Sequence, residues 1–342
     1  MSVFSDPAFD EHELVSFHTD KQSGLRAIIA VHDSTLGPAT GGCRMYPYAN
    51  DNDAVHDVLR LSRGMTYKSA LAGLPFGGGK SVIIGNPHRE KSQNLLASMG
   101  DFVNSLGGRY VAAEDSGMGV DDIRTLGGRT RWVSGLVENG HGGDPSPSTA
   151  YGVYLGIRTA VHHRSGTAKL NDISVAIQGL GNVGYHLARL LIADGATIYG
   201  ADVNPLNIER AVQQLGVIPV DTADIHTLEV DVFAPCAMGA VLNADTIESL
   251  RAGIVCGAAN NQLKDTRDGE DLMDRGILYC PDFLVNAGGI IDVHHQQTGS
   301  SKVSKDKHIL RIENTLQVVL ARAAKQLRPT HKVAEEMAKE KL

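Results

Sequence analysis

Two lysines close together, followed later by adjacent carboxylates, are the residues here best suited to proton chemistry. Met65-Thr66-Tyr67-Lys68 and Gly77-Gly78-Gly79-Lys80-Ser81 flank an apolar linker. Lys80 stands between three glycines and an apolar run, where a long solvated side chain has no structural purpose. A lysine partly desolvated near another cation has a lowered pKa and can act as a base. The competing readings are a pair of solvated surface charges and, from Gly-Lys-Ser, a phosphate-binding loop. The second fails on spacing, because five residues separate Gly73 from Gly79 where the motif has four, and on context, because a strand rather than a helix follows. Ala113-Glu114-Asp115-Ser116-Gly117 closes another apolar strand. Its carboxylates fit either a catalytic pair at a strand end or a cap for a helix beginning near Val120.

A second kind of chemistry is signalled by Gly179-Leu180-Gly181-Asn182-Val183-Gly184. The loop lies between a predicted strand ending at Gln178 and a predicted helix, the context in which such a motif binds a dinucleotide. Gly179 allows the tight turn, Gly181 lets backbone approach a pyrophosphate, and Gly184 lets the helix lie on the strand. The helix N-terminus offers free N–H groups to phosphates. Asp202 ends the next strand, 18 residues after Gly184, where an acid accepts hydrogen bonds from the adenosine ribose. Its carboxylate repels a 2′-phosphate, and no arginine follows until Arg210, so NAD is favoured over NADP.

Alternating elements position these residues. In the first region, strands are predicted at 25–31, 81–84 and 109–113, a turn at 32–37, and helices at 53–65 and 94–106, joined by glycine-rich loops. Residues 135–149 are rich in Gly, Pro, Ser and Asp and read as the interdomain crossing. A helix is expected from Thr149. Beyond it, strands at 173–177, 197–201, 230–234, 253–257 and 277–280 alternate with helical or polar segments, which implies a parallel sheet. The fold class is therefore α/β with two domains, bounded at 1–140 and 141–325. Helical sequence at 309–327 and a C-terminal segment at 326–342 are expected to pack back on the first region.

Composition sets outer limits. At about 150 residues per domain, 342 residues suggest roughly two domains. Thirty-two basic against 39 acidic residues give −7, which disfavours nucleic acid and anionic membrane as partners. No apolar run approaches the ~20 residues of a membrane span, and the polar N-terminus does not read as a secretory signal. Cys43, Cys236, Cys256 and Cys280 form no C-x-x-C pair and read as free thiols in a reducing cytoplasm. The pairs His162–His163 and His294–His295 read as surface histidines rather than metal ligands, because adjacent side chains diverge. No metal site is expected.

Eight motifs occur in order: Gly37-Pro-Ala-Thr-Gly-Gly-Cys-Arg44, Gly64-Met-Thr-Tyr-Lys68, Gly77-Gly-Gly-Lys80, Ala113-Glu-Asp115, Pro145-Ser-Pro-Ser-Thr149, Gly179-x-Gly-Asn-Val-Gly184, Ala259-Asn-Asn-Gln262 and Asn286-Ala-Gly-Gly289. Over about residues 25 to 295 the chain resembles the Glu/Leu/Phe/Val dehydrogenase family, closest to its leucine branch. The resemblance implies an N-terminal α/β substrate-binding and oligomerisation domain, a Rossmann dinucleotide-binding domain, a cleft that closes between them, and a homo-oligomer. It implies reversible oxidative deamination of an L-amino acid to a 2-oxo acid and ammonium with NAD. Lys68 would bind the substrate carboxylate, Lys80 activate water and Asp115 shuttle protons. Gly41, Gly42 and Asn261 would help hold the amino acid. Thr149, Asn260, Gly179, Gly181, Asn182, Val183, Gly184 and Asp202 would hold NAD. Thr40, Met65, Ala113, Ile290 and Val293 fall at side-chain pocket positions. Thr40, Ser116 and Met118 depart from the leucine branch, which puts the substrate side chain in question. Small and aliphatic pocket residues suit leucine, valine or isoleucine, and the absence of a cation there argues against glutamate. Phenylalanine is the alternative substrate. A non-catalytic NAD-binding regulator is the alternative class, and it would need neither Lys68, Lys80 nor Asp115.

Overall fold

Apolar strands and amphipathic helices alternate along the chain and sort into two sheets. In the computed structural model, residues 2–136, 143–237 and 239–342 are described; residues 137–142 of the expected crossing lie outside them. The chain divides into two compact units. One comprises Met1–Gly143, Gln296–Gly299 and Lys341–Leu342, the other Asp144–His295 and Ser300–Glu340.

The first unit holds strands β1 (Leu14–Asp20), β2 (Leu25–Asp33) and β3 (Ala39–Tyr46), helix α1 (Asp51–Ala72), β4 (Gly77–Ile84), α2 (Gln93–Ser105), β5 (Tyr110–Ala113) and α3 (Val120–Gly127). The strand order is β1-β2-β4-β3-β5. β2 pairs antiparallel with β1 and β4, while β3 pairs parallel with β4 and β5. β2 is apolar on both faces because it serves two cores. Ile29 and Val31 join Met45, Met99 and Tyr110 on one side; Ile28 and Ala30 join Val58, Leu59 and Val82 on the other. α1 starts at Asn50, whose side chain accepts the Asp53 N–H, and stops at Gly73 in the left-handed conformation.

Several expectations change here. β2 runs on to Asp33, two residues into the expected turn. α1 is longer than 53–65 because Thr66, Tyr67, Ala70 and Leu71 prolong its buried stripe. β1 and β3 were not foreseen. The glycine-rich stretches expected to be loops lie inside strands: Gly41 and Gly42 in β3, Gly77–Gly79 in β4.

The second unit holds α4 (Ser146–Ser165), β6 (Ser174–Gln178), α5 (Asn182–Ala193), β7 (Thr197–Ala201), α6 (Pro205–Leu215), β8 (Ile218–Pro219), β9 (Val232–Pro235), α7 (Ala244–Ser249), β10 (Ile254–Val255), α8 (Thr266–Asp274) and β11 (Leu278–Tyr279). Five further helices follow: α9 (Asp282–Val285), α10 (Gly288–Gln297), α11 (Lys302–Ile309), α12 (Arg311–Gln326) and α13 (Thr330–Lys339). The sheet is parallel with order β11-β10-β9-β6-β7-β8. Read from the other edge, the strands run third, second, first, fourth, fifth, sixth, the doubly wound order of a dinucleotide-binding fold.

α12 packs against α4 of its own unit, and α13 against α12 and β11. Thr330 Oγ1 donates to the Tyr279 carbonyl at 2.6 Å, and Arg322 grips Glu340 through both guanidinium nitrogens at 2.6 and 3.0 Å. Lys341 and Leu342 group with the first unit, where Lys341 Nζ donates to the Ala70 carbonyl at 3.1 Å.

Candidate active site

In the first unit the site is built on backbone packed too closely for side chains. A Cβ on Gly41 would overlap the Gly79 carbonyl oxygen, and one on Gly78 would overlap the Thr66 hydroxyl and N–H. A Cβ on Gly42 would lie 2.7 Å from Asp115 Cβ and 3.0 Å from Lys80 Nζ. The glycines let β3, β4 and α1 lie flush and leave room for a lysine and a carboxylate. Tyr110 locks the arrangement from β5. Its hydroxyl contacts the carbonyl oxygens of Gly41 and Gly42 at 2.8 and 3.2 Å and Ser81 Oγ at 3.0 Å. Burial raises its pKa well above the usual phenol value, so it stays protonated as a donor.

Lys80 Nζ donates to Asp115 Oδ2, and both side chains are largely buried. Asp115 Oδ1 accepts the Ser116 N–H at 2.6 Å and lies 3.6 Å from Arg44 Nη2. Arg44 in turn reaches Asp57 on α1 at 2.9 Å, and Tyr48 donates to the same Asp57 oxygen at 2.5 Å. The Lys80 pKa is driven well below its ordinary value, first by burial and then by the Arg44 guanidinium. Asp57 opposes the shift and Lys68 adds to it. The like-charge effect anticipated for Lys68 is therefore present but secondary to Arg44.

Asp115 caps no helix. Gly119 precedes α3, and its N–H goes to Asp122 Oδ2 at 2.8 Å. Lys68 is half-buried on α1, eleven residues and three turns beyond Asp57, so the two share a face. The Met65 side chain lies over Gly41. Thr40 is buried, with its hydroxyl donated to the Pro38 carbonyl at 3.2 Å, and Ala113 is half-buried at the end of β5.

In the second unit, the three glycines of the loop have three different surroundings. Gly179 turns at φ +98°, with Ala237 Cβ 2.8 Å from where its own Cβ would be; a Cβ on Gly184 would overlap the Gly179 carbonyl oxygen. A Cβ on Gly181 would meet nothing within 4 Å. Asn182 and Val183 form the first turn of α5, with Gly181 as its cap residue. Asp202 Oδ2 accepts the Leu180 N–H at 2.7 Å and Asn207 Nδ2 at 3.1 Å; Oδ1 accepts the Asn204 N–H at 2.7 Å. Arg210, distant in sequence, folds back onto this loop. Its Nη2 donates to the Leu180 carbonyl at 3.2 Å and its guanidinium lies 4.2 Å from the Tyr185 ring centroid.

The remaining candidates gather around the starts of α4 and α10. Gly288 and Gly289 let α10 abut Ser148 and Thr149, and a Cβ on Gly289 would lie 2.5 Å from Thr149 Oγ1. Ser148 Oγ donates to the buried Asp292, which also holds Lys305 at 2.9 Å. Asn286 Nδ2 donates to Asn260 Oδ1 at 2.9 Å and the Ala258 carbonyl at 3.0 Å. Asn261 sits at φ +52° and gives its carbonyl to the Ala240 N–H at 2.7 Å. Fully buried Gln262 ties this loop to the carbonyls of Gly257 and Ala259. Ile290 and Val293 are half-buried three residues apart on α10, on one face.

Sequence reasoning missed Arg44, Asp57, Tyr110, Asn286 and Asp292 as members of these clusters. One signal was available: Arg44 interrupts an otherwise apolar strand two residues after Gly42, which places both on one side of β3. The histidine reading needs partial correction. His162 and His163 are exposed, but His294 and His295 are half-buried, and His295 Nε2 shares a hydrogen bond with His308 Nδ1 at 3.0 Å. Among the described residues, no three His, Cys, Asp or Glu side chains are placed to hold a metal. None of the described helices is long and apolar enough to cross a membrane, and all four cysteines are free.

Residues 11–132 match the family model for the Glu/Leu/Phe/Val dehydrogenase dimerisation domain. Residues 142–204 and 207–336 match that for glutamate/leucine/phenylalanine/valine dehydrogenase. The chain is 44% identical over 343 residues to a leucine dehydrogenase of Geobacillus stearothermophilus, covering 100% of this chain and 94% of that one. It is 43% identical over 348 residues to a phenylalanine dehydrogenase of Caldalkalibacillus thermarum, covering 100% and 94%. The crystal structure of L-tryptophan dehydrogenase from Nostoc punctiforme superposes with a TM-score of 0.82 at 42% identity, covering 97% of this chain and 95% of that one.

Proposed function

The chain belongs to the Glu/Leu/Phe/Val dehydrogenase family, and from that premise we propose that this amino-acid dehydrogenase oxidatively deaminates a branched aliphatic L-amino acid with NAD. The reaction converts the amino acid, NAD⁺ and water to the 2-oxo acid, ammonium, NADH and a proton. The observation that carries the reading is the buried Lys80–Asp115 pair, with a lysine whose surroundings favour its neutral form.

Neutral Lys80 takes a proton from the water that adds to the substrate Cα once it has become an imine carbon. Asp115, having first taken a proton from the substrate ammonium, returns one to the departing nitrogen, so that ammonia leaves from a protonated amine. Lys68 binds the α-carboxylate as a charge-assisted partner and holds the substrate in register, while backbone groups at Gly41 and Gly42 are proposed to help hold the amino acid. Asn261 is proposed to help hold the amino acid.

The open space beside Gly181 and the carboxylate of Asp202 fit a dinucleotide with an unmodified ribose. Gly179, Gly181, Asn182, Val183, Gly184 and Asp202 would hold NAD, with Thr149 and Asn260 towards the nicotinamide. When bound, NAD supplies the hydride acceptor. The protein's part is binding, orientation and exclusion of water.

Ile290 and Val293 are aliphatic, and Thr40 keeps its hydroxyl proton engaged with Pro38, which suits an apolar substrate side chain. A second reading, an aromatic amino acid, is favoured by near-equal identity to the phenylalanine and leucine enzymes. As part of the proposal, the enzyme is a homo-oligomer through its dimerisation domain, and its four free thiols suit the cytoplasm. NADH formation measured across the common L-amino acids tests the substrate. Leucine, valine and isoleucine should give the highest kcat/KM. Best use of phenylalanine, tryptophan or glutamate overturns the aliphatic assignment.

A further inference from the structure

The roles above leave unassigned the cation that joins the Lys80–Asp115 pair to helix α1. We propose that Arg44 is a positioning residue, holding the Asp115 carboxylate and, in balance with Asp57, setting the charge environment of Lys80; this rests on the functional reading just given. Arg44 lies on β3, Asp57 on α1, Lys80 on β4 and Asp115 in the turn after β5, so four elements converge. The side chains of Arg44 and Asp57 are 20% and 25% exposed, which keeps their charges poorly screened.

The carboxylate of Asp115 is held from two sides. Lys80 takes Oδ2, while the Ser116 N–H and the Arg44 guanidinium face Oδ1. Arg44 is anchored in turn, because Asp57 accepts one of its nitrogens and Tyr48 fixes the same Asp57 oxygen. A guanidinium presents several N–H groups in a rigid plane, so one residue can face two carboxylates.

The groups facing Lys80 are Arg44 and Cys43 from β3, Asp57 and Lys68 from α1, and Asp115. Burial pushes the Cys43 thiol up to about 11, so it is uncharged at working pH. The contest outside the Asp115 pair is therefore between the cations Arg44 and Lys68 and the anion Asp57. Arg44 favours the neutral amine and Asp57 the ammonium. Removing the first must make Lys80 hold its proton to higher pH, and removing the second must make it release the proton at lower pH.

The test uses the full-length enzyme and the variants Arg44→Gln, Arg44→Lys and Asp57→Asn. Two quantities are measured: the pH midpoint of Lys80 acylation by an amine-directed reagent, read by mass spectrometry without substrate, and the pH profiles of kcat and KM. For Arg44→Gln, the Lys80 midpoint and the acid limb of kcat/KM should both rise by about one pH unit. kcat should fall by about 10- to 100-fold, with the substrate KM within about threefold. Asp57→Asn should shift the midpoint the other way. Arg44→Lys keeps the charge but loses the fork, so its midpoint should stay near wild type while kcat falls. A midpoint unmoved in both charge-removing variants, or moved in the same direction by both, overturns the proposal. If Arg44→Gln fails to fold, judged by its melting transition, a Lys80 midpoint that does not fall in Asp57→Asn overturns the proposal. Acylation needs no turnover. A wild-type enzyme inactive on every amino acid therefore sinks the functional reading and leaves the midpoint shifts as a separate result.

Discussion

The two units place their glycines against different things. In the first, Gly41, Gly42 and Gly78 face other parts of the protein: a carbonyl of the neighbouring strand, the Lys80–Asp115 pair and helix α1. In the second, Gly179 and Gly184 also fit against backbone or side chain, but Gly181 between them faces open space. The first arrangement uses missing side chains to bring distant strands together, so its site depends on long-range register. The second uses one missing side chain to leave room beside a helix N-terminus, so its site is local. A local site tolerates a change that leaves the backbone alone; a register-built site does not.

The largest effect expected is on chemistry in the first unit. Lys80→Ala removes the proposed base, and general-base catalysis is typically worth about 10² to 10⁴ in rate, so kcat should fall by that factor. Lys68→Ala should act mainly through KM, because the ion pair proposed for it with the substrate carboxylate would be present in ground and transition states alike. NADH binding, followed by fluorescence, should survive both changes if the units divide the work as proposed. Near-normal kcat for Lys80→Ala at saturating substrate would refute the assignment.

A matched pair of glycine substitutions tests the comparison itself. Gly41→Ala puts a methyl into the Gly79 carbonyl oxygen, and neither backbone can retreat without breaking a sheet. Overpacking of this severity should cost about 3 kcal/mol or more. Gly181→Ala has room, at a φ of −63° that alanine accepts, and should leave stability within about 0.5 kcal/mol. It should still weaken NADH binding by filling the space beside the loop. Chemical denaturation and NADH titration of both variants provide the check. Equal stability losses would show that the two glycine sets do the same work.

These contrasts explain what could be read from the sequence. Strand, glycine loop, helix and terminal acid lie within 29 residues between Ser174 and Asp202, so periodicity and spacing group them without knowledge of the sheet. The first unit resisted because its site joins residues 42, 44, 57, 80 and 115 through sheet order. Glycine is a poor strand former, so Gly77–Gly79 resembled loop; only the register with β2 and β3 makes them strand. β1 alternates weakly and lies at the sheet edge, where burial leaves little pattern. Lys80 and Asp115 were legible as chemistry, but the charge beside them was not, because nothing local links Arg44 to Asp57. Arg210 shows the reverse error, since distance along the chain disguised a guanidinium that folds back to the dinucleotide loop.

A smaller effect concerns cofactor choice in the second unit. Asp202 is fixed by three hydrogen bonds, and its charge should repel a 2′-phosphate. We expect kcat/KM to favour NAD⁺ over NADP⁺ by at least about tenfold, or about 1.4 kcal/mol. Asp202→Ser should narrow the gap, with Arg210 already near the loop to meet the phosphate. Comparable use of both cofactors by the wild type would count against the role given to Asp202.

The smallest effect near neutral pH contrasts one buried histidine in each unit. Burial lowers the pKa of both His12 and His331 from 6.5 to about 4. Each is neutral in the folded state and takes up a proton more readily when unfolded. Each therefore contributes stability that is full above about pH 6.5 and falls away as the pH drops towards 4. Between pH 7 and pH 6 the loss should be about 0.7 kcal/mol per histidine, growing to about 2 kcal/mol near pH 5. The partners differ. His12 accepts the Asp10 N–H and its Nε2 meets the Leu59 carbonyl and Ser62 Oγ, each at 3.1 Å. Among the described residues, His331 has only a weak backbone contact from Thr266, with its ring wedged over Gly269. His331→Phe keeps a ring of similar size and gives up only the Thr266 backbone contact, so it should lie close to wild type at pH 7 and be the more stable protein at pH 5. His12→Phe leaves the Leu59 carbonyl, Ser62 hydroxyl and Asp10 N–H without that partner and should cost about 1–3 kcal/mol even at pH 7. Denaturant midpoints at pH 7, 6 and 5 for the three proteins measure both effects. A His331→Phe protein that loses stability with acid as steeply as wild type would show that this histidine does not set the acid response of its unit.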